Sequence, residues 1–361
     1  MKSKKFLSAS LVLCMSLSLA ACTGEKAANA NPASTEAASS TFVSEAAEIS
    51  EAVSTENQST ETQDDDITFT PVTIKNMDND LVFESAPEKV VVLSYDTAEI
   101  LAALGLEDKV IGLAEADSSI NDVLPEYRDN VSKMPLIEGL SNGVPSLETV
   151  LAMNPDFVYG ASYSFMEQNA GKASDYLDSG INVYGSTGTY SDVPTIEDTY
   201  TDIENLGKIF GVEDRAQSLI NDLKSRVDAI TSNTDPNSKL TVFVYDSEED
   251  APYTAGGTSL ENELIELAGG TNIYKDLDSD FTSVAWEDVI AKNPDVILIN
   301  KYGDEDDVQK KIEFLKNMPE LADVTAVKEG RFVSASMLAI FPSLQNVNVI
   351  EDLNKSLNEW K

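Results

Sequence analysis

Histidine is missing from all 361 residues. With it go the commonest metal ligand, an axial histidine for haem and every catalytic triad built on imidazole. Cysteine occurs twice, at Cys14 and Cys22, so a chain cleaved just before Cys22 and lipidated there has no free thiol and no disulfide. Positive charge is scarce: 25 Lys and Arg face 63 Asp and Glu, for a formal net charge of −38, and the arginines are only Arg128, Arg215, Arg226 and Arg331. Such a chain is repelled by polyanions, which argues against nucleic acid as a partner. Beyond residue 22 no apolar run is long enough to cross a bilayer. A phosphate-binding loop, a G-x-G-x-x-G turn and a nucleophile elbow are likewise missing, and nothing marks the chain as an enzyme.

What is present begins at the first residues. Lys2, Lys4 and Lys5 precede an apolar stretch over residues 6–19, followed by Leu19-Ala20-Ala21-Cys22. This is the layout of an export signal. It resembles the lipobox of bacterial lipoproteins, which implies a signal peptide over 1–21, cleavage before Cys22 and a lipid such as palmitate on that cysteine. A lipid there anchors the chain to a membrane surface without spanning it. Loss of the three lysines takes the exported net charge to about −41. Residues 23–66 carry ten acids against Lys26 and one aromatic, Phe42. They hold too little apolar surface to offset the entropy of ordering, so 22–66 is expected to be a lipidated, disordered acidic tether.

From there the pattern is strand, then helix, repeated. Thr73-Ile74 and Leu81-Val82-Phe83 flank a turn at 77–80 and predict a hairpin. Val90 to Leu93, Val110 to Leu113, Pro135-Leu136-Ile137, Phe157 to Tyr159 and Ile181 to Tyr184 predict strands of a mostly parallel α/β sheet. After residue 233 the pattern resumes at 240–245, 296–299 and 331–333, with helices at 260–268 and 344–360; Gly256-Gly257 and Gly269-Gly270 read as turn and cap. Between the halves, 195–230 is one long amphipathic pattern carrying Ile203, Leu206, Ile209, Leu219, Leu223 and Val227 at three- and four-residue steps. Thr195 with Asp198 suits a helix start, and Gly211 predicts a break into a short helix and a longer one. The expected organisation is an N-terminal α/β lobe over 67–193, a helical strut over 194–232 and a C-terminal α/β lobe over 233–361.

A repeat supports two lobes of similar build. Leu147-Glu148-Thr149-Val150-Leu151-Ala152-Met153-Asn154-Pro155-Asp156 aligns with Trp286-Glu287-Asp288-Val289-Ile290-Ala291-Lys292-Asn293-Pro294-Asp295, each leading into an apolar strand. These blocks, with PEKVVVLSYDTAEILAALGLEDKVIGL and GGTNIY, resemble the class III, helical-backbone substrate-binding lipoproteins of ABC importers for ferric siderophores, haem or cobalamin. The resemblance implies two Rossmann-like lobes joined by a rigid interlobe helix, with the ligand cleft between them. It also implies an extracytoplasmic, lipid-anchored monomer that is no enzyme, holds no cofactor of its own and hands ligand to an ABC permease and its ATPase. In that family one glutamate on each lobe docks into arginine pockets of the permease, and the matching positions are Glu148 and Glu287. The helix dipole alone also favours a carboxylate in a first turn.

Ligands of such sheets gather beyond the carboxyl ends of the strands. The candidate ligand-binding residues there are Tyr95, Glu138, Tyr159, Tyr163, Tyr190, Tyr245, Phe281, Lys301, Met337 and Phe341. None of the four arginines falls on these loops, which weighs against strongly anionic chelates. The expected cargo is a ferric siderophore, a neutral or cationic hydroxamate before others, with cobalamin next. Haem comes after, held by Met337 or a tyrosine in place of histidine. No protein metal ligand is expected, because the metal arrives already chelated. A surface adhesin or sensor is the alternative of another class. Trp286 is expected near the cleft.

Overall fold

The computed structural model describes residues 69–361 except 116–117, 141–142, 236–237, 249–250 and 303–304. The expected signal peptide, the expected acidic tether and Cys22 lie outside the described residues. The described part opens with the hairpin, β1 (Val72–Asn76) and β2 (Asn79–Phe83), paired antiparallel through Met77 and Asp78. Both turn residues have positive φ, 46° and 62°, as a tight two-residue hairpin requires.

The first parallel sheet has the order β4-β3-β5-β6, made of β3 (Val90–Val92), β4 (Val110–Leu113), β5 (Phe157–Ala161) and β6 (Asn182–Ser186). Helices α1 (Tyr95–Ala103), α2 (Pro125–Val131), α3 (Leu147–Ala152) and α4 (Ala173–Leu177) connect these strands. β3 and β5 are buried at every position, which is why they read as continuous apolar runs. The strand expected at 135–137 is reduced to one bridge, Leu113 with Leu136. Leu136 is 48% exposed, so this segment lacks the buried face that holds a strand in a sheet.

The amphipathic stretch folds as two helices of similar length, α5 (Ile196–Phe210) and α6 (Glu213–Thr231), so the expected short helix is 15 residues long. The Asp198 carboxylate accepts the Thr195 N–H at 2.8 Å, and Gly211, at φ 66°, ends α5 in the left-handed conformation. Both helices bridge the lobes, in opposite directions. Near its start α5 meets the C-terminal lobe, where the Ile196 N–H donates to Glu263 at 2.7 Å; farther along, Asp202 accepts the Tyr184 hydroxyl of β6 at 2.7 Å. Near its start α6 meets the N-terminal lobe, Arg215 donating to the Leu104 carbonyl at 3.0 Å, and in its second half Arg226 forms a two-pronged bond to Glu351 at 2.7 and 2.8 Å. At about 1.5 Å per residue, 19 residues give α6 a reach of about 28 Å.

The second parallel sheet has the order β10-β7-β12-β13. In chain order the C-terminal lobe contains β7 (Thr241–Tyr245), β8 (Ser247–Glu248), β9 (Pro252–Ala255), α7 (Leu260–Leu267), β10 (Thr271–Asn272), β11 (Phe281–Ser283), α8 (Trp286–Lys292), β12 (Val296–Lys301), α9 (Glu305–Asn317), α10 (Thr325–Glu329), β13 (Phe332–Ser336) and α11 (Gln345–Glu359). β8, β9 and β11 form a separate antiparallel sheet beyond the end of β7. Gly256 and Gly257 are more than a turn: a Cβ on either would collide with the backbone carbonyls of Ser279 and Lys275, so glycine lets the 275–280 loop close over them.

The repeated Asn-Pro-Asp has one physical job in each lobe. Asn154 and Asn293 end α3 and α8 with positive φ, 53° and 45°, and the proline follows where a helix cannot continue. The aspartate then reaches the start of the neighbouring strand. Asp156 accepts the N–H groups of Glu88 and Lys89, both at 2.9 Å, and Asp295 accepts the Thr241 N–H and hydroxyl, both at 2.8 Å.

Candidate ligand cleft

The two parallel sheets turn their carboxyl ends toward a shared cleft. Two cavities lie there, of about 200 Å³ and 350 Å³, and both are lined by Asp280, Phe281, Ile340 and Phe341. The smaller lies between the lobes, with Tyr163, Thr189 and Asp192 on one wall and Leu260 and Pro342 on the other. The larger belongs to the C-terminal lobe and adds Asp246, Tyr253, Ser279 and Tyr302. Tyr163 and Phe341 meet across the lobes, ring centroids 5.8 Å apart, and Tyr253 stacks on Phe281 at 5.7 Å with the planes 20° apart. Neither lining includes a lysine or an arginine. Partial desolvation raises the Asp280 carboxyl above its usual range.

Of the residues expected here, the structure brings Tyr163, Phe281 and Phe341 together around the cavities. Tyr190 is 42% exposed and lines neither cavity, and its hydroxyl accepts a bond from Asn76 at 3.1 Å. Glu138 is exposed and Met337 partly buried, and neither lines a cavity. Tyr159 and Tyr245 are corrections: both are wholly enclosed and offer no surface to a ligand. Tyr159 packs edge-on against Tyr184 inside the first lobe, and Tyr245 packs against Trp286 and Phe314 on the outer face of the second sheet. Among the described residues the Tyr245 hydroxyl is buried without a hydrogen-bond partner. Tyr95 is also buried, its hydroxyl donating to Glu115 at 3.1 Å. Trp286 joins that outer-face cluster and lines neither cavity. Asp280, Asp192 and Pro342 line the cleft from polar loops, where periodicity gives no signal.

Lys301 serves the contact between lobes. Its ammonium lies 3.7 Å from Asp122, with both side chains largely enclosed. Beside this pair Gln345, the first residue of α11, donates to the Asp122 carbonyl and to Glu99 of α1, each at 2.8 Å. Glu99 has no exposed surface; one carboxyl oxygen also accepts the Leu124 N–H, and the other is enclosed without a partner among the described residues. Burial is the main cause that pushes its carboxyl up to about 8. In α5, burial likewise pushes Asp202 up to about 7, against hydrogen bonds from Thr187 and Tyr184 that favour its ionised form.

Glu148 and Glu287 are exposed in the first turns of α3 and α8. The Glu148 backbone N–H and the Ser146 hydroxyl hold the Glu148 carboxyl below its usual value. Among the described residues no group of three or more Cys, Asp or Glu is arranged to hold a metal ion, and no helix is long and apolar enough to cross a membrane.

Residues 90–336 match the model of the periplasmic binding protein family. The chain belongs to this family. Relatives include an uncharacterized ABC transporter substrate-binding lipoprotein of Bacillus subtilis, 29% identical over 232 residues, covering 63% of this chain and 68% of the relative. A vitamin B12-binding protein of Vibrio parahaemolyticus is 25% identical over 221 residues, covering 61% of this chain and 73% of the relative. Among solved structures, that of an ABC-type Fe3+-hydroxamate transport system from Saccharomonospora viridis superposes with a TM-score of 0.65 at 26% identity, covering 79% of this chain and 98% of that one. Within the periplasmic binding protein family this chain is an ABC-transporter substrate-binding protein.

Proposed function

We propose that the protein is an extracytoplasmic lipoprotein, anchored through Cys22, that captures a ferric siderophore of hydroxamate type, neutral or cationic, and delivers it to an ABC permease and its ATPase. The observation that carries the ligand class is the wall of the two cavities. It is aromatic and acidic, with Asp280 on both linings and no lysine or arginine on either. A ferric catecholate carries several negative charges and calls for clustered cationic donors, whereas an uncharged or cationic chelate does not. Aromatic rings on both sides of the cleft suit a bulky, partly apolar ligand. Drug-sized ligands occupy roughly 300–1,000 Å³, so a chelate of that size draws on both cavities and needs Phe341 to turn aside. The relative that binds vitamin B12 favours cobalamin as the second reading.

Delivery rests on Glu148 and Glu287 as the contacts to the permease, one exposed carboxylate at the same point of the repeated unit in each lobe. Titration calorimetry of the purified protein against a ferric trihydroxamate, a ferric tricatecholate, haem and cobalamin tests the ligand class. Binding is expected for the trihydroxamate and not for the catecholate. Tighter binding of the catecholate overturns the charge argument, and binding of cobalamin alone moves the assignment to the second reading.

A further inference from the structure

The larger cavity has a floor that a neutral chelate does not use. Asp246, the residue after β7, lines it while only 5% exposed. Among the described residues its carboxylate accepts hydrogen bonds from neutral donors: the Tyr302 hydroxyl at 2.6 Å, the Asn300 amide at 2.9 Å and the Ser247 hydroxyl at 3.1 Å. The nearby cation, Lys311, is committed elsewhere. It donates to the backbone carbonyls of Asp246 and Asn300 at 2.7 and 2.6 Å, lies 3.3 Å from Asp307 and sits 4.7 Å over the Tyr302 ring.

Behind Asp246 the same Asn300 amide donates to Glu261 at 3.3 Å, and the other Glu261 carboxyl oxygen is buried with no partner among the described residues. Burial, with the charges of Asp246 and Asp280, pushes Glu261 up to about 8, so near neutral pH it adds little negative charge of its own. The charge presented to the cavity is therefore that of Asp246 and Asp280. Beside them the stacked Tyr253 and Phe281 rings give a flat π surface, the second kind of surface that attracts a cation. A buried carboxylate whose direct hydrogen bonds come from neutral donors gains from a cation brought against it, because both charges are shielded from water.

We propose that this cavity is a subsite for a protonated alkylamine: the ligand sets its metal centre between the lobes and places an ammonium-bearing arm against Asp246, beside the Tyr253 and Phe281 rings. The proposal rests on the hydroxamate reading above, and the test separates the two. Calorimetry with the full chain compares ferrioxamine B, a ferric trihydroxamate ending in a primary ammonium, with the same chelate acetylated on that nitrogen. The ammonium form is expected to bind at least about tenfold more tightly. Asp246→Asn, which keeps an oxygen for the Tyr302 hydroxyl, is expected to remove most of the difference in affinity between the two chelates. Equal affinity of the two chelates for the unaltered protein overturns the subsite and leaves the hydroxamate reading standing. If neither chelate binds, both fall. Asp280→Asn, at the rim of the same cavity, is expected to reduce the preference in part and serves if Asp246→Asn does not fold.

Discussion

Replacing Glu99 by glutamine isolates the cost of a carboxylate at the contact between lobes. With its pKa pushed up from 4.5 to about 8, folded Glu99 holds a proton that the unfolded chain releases at lower pH. Between those values folding takes up a proton, so the contribution of this group to stability falls as pH rises, and it is lost once pH passes the folded value. Working the linkage through for these two pKa values gives a loss of about 3 kcal/mol between about pH 5.5 and about pH 8.5. The neighbours act in the same sense: Asp96 on the same helix and Glu126 on α2 both add negative charge near it. Glutamine keeps the oxygen that accepts from Leu124 and Gln345, and it cannot ionise. In urea denaturation at the two pH values, Glu99→Gln is expected to lie within about 1 kcal/mol of the parent at the lower pH. At the higher pH it should be more stable by about 3 kcal/mol. A difference that is the same at both pH values refutes the assignment of a buried, protonated Glu99. The parent protein itself should lose stability over this range, since Glu261 and Asp202, raised to about 8 and about 7, act with the same sign.

Tyr245→Phe removes a buried hydroxyl that has no partner among the described residues, so it should leave ligand affinity unchanged and raise stability by roughly 1 kcal/mol, measured by calorimetry and denaturation. Glu148→Arg combined with Glu287→Arg should abolish uptake in cells while ligand affinity stays at the parent value; surviving uptake refutes the docking role. Small-angle scattering with and without ligand should give nearly the same radius of gyration, because two bridging helices and the contact from Gln345 to Glu99 resist wide opening. A large compaction on binding would show that these contacts yield.

The parallel strands are legible because burial on both faces leaves no polar position, as at 90–92 and 296–299. That same property hides the site. In a run with no alternation nothing tells which side chain at a strand end faces the cleft and which the core, and so Tyr159 and Tyr245 look like site residues and are not. Asp280 lies in the polar stretch Asp278-Ser279-Asp280, where only the tertiary position of the loop over Gly256 and Gly257 gives it meaning. The contact from Glu99 to Gln345 joins residues 246 apart, beyond any local pattern. The repeat is legible as a recurrence, but the task of its aspartates appears only once the neighbouring strand is in place.

Those aspartates bear on alignment. A strand that is apolar on both faces can slip along its neighbour without exposing a polar residue, so hydrophobic pattern leaves its register weakly specified. Asp156 pins the entry of β5 to the residues just before β3, where Val90 faces Phe157, and Asp295 pins β12 to β7, where Val296 faces Val242. A slip of one residue would move the far end of a strand by about 3.3 Å. At those far ends lie Asp246 and the Lys301 that meets Asp122. Two carboxylates at the end of the sheets away from the ligand thus act as the zero marks from which the cleft is measured.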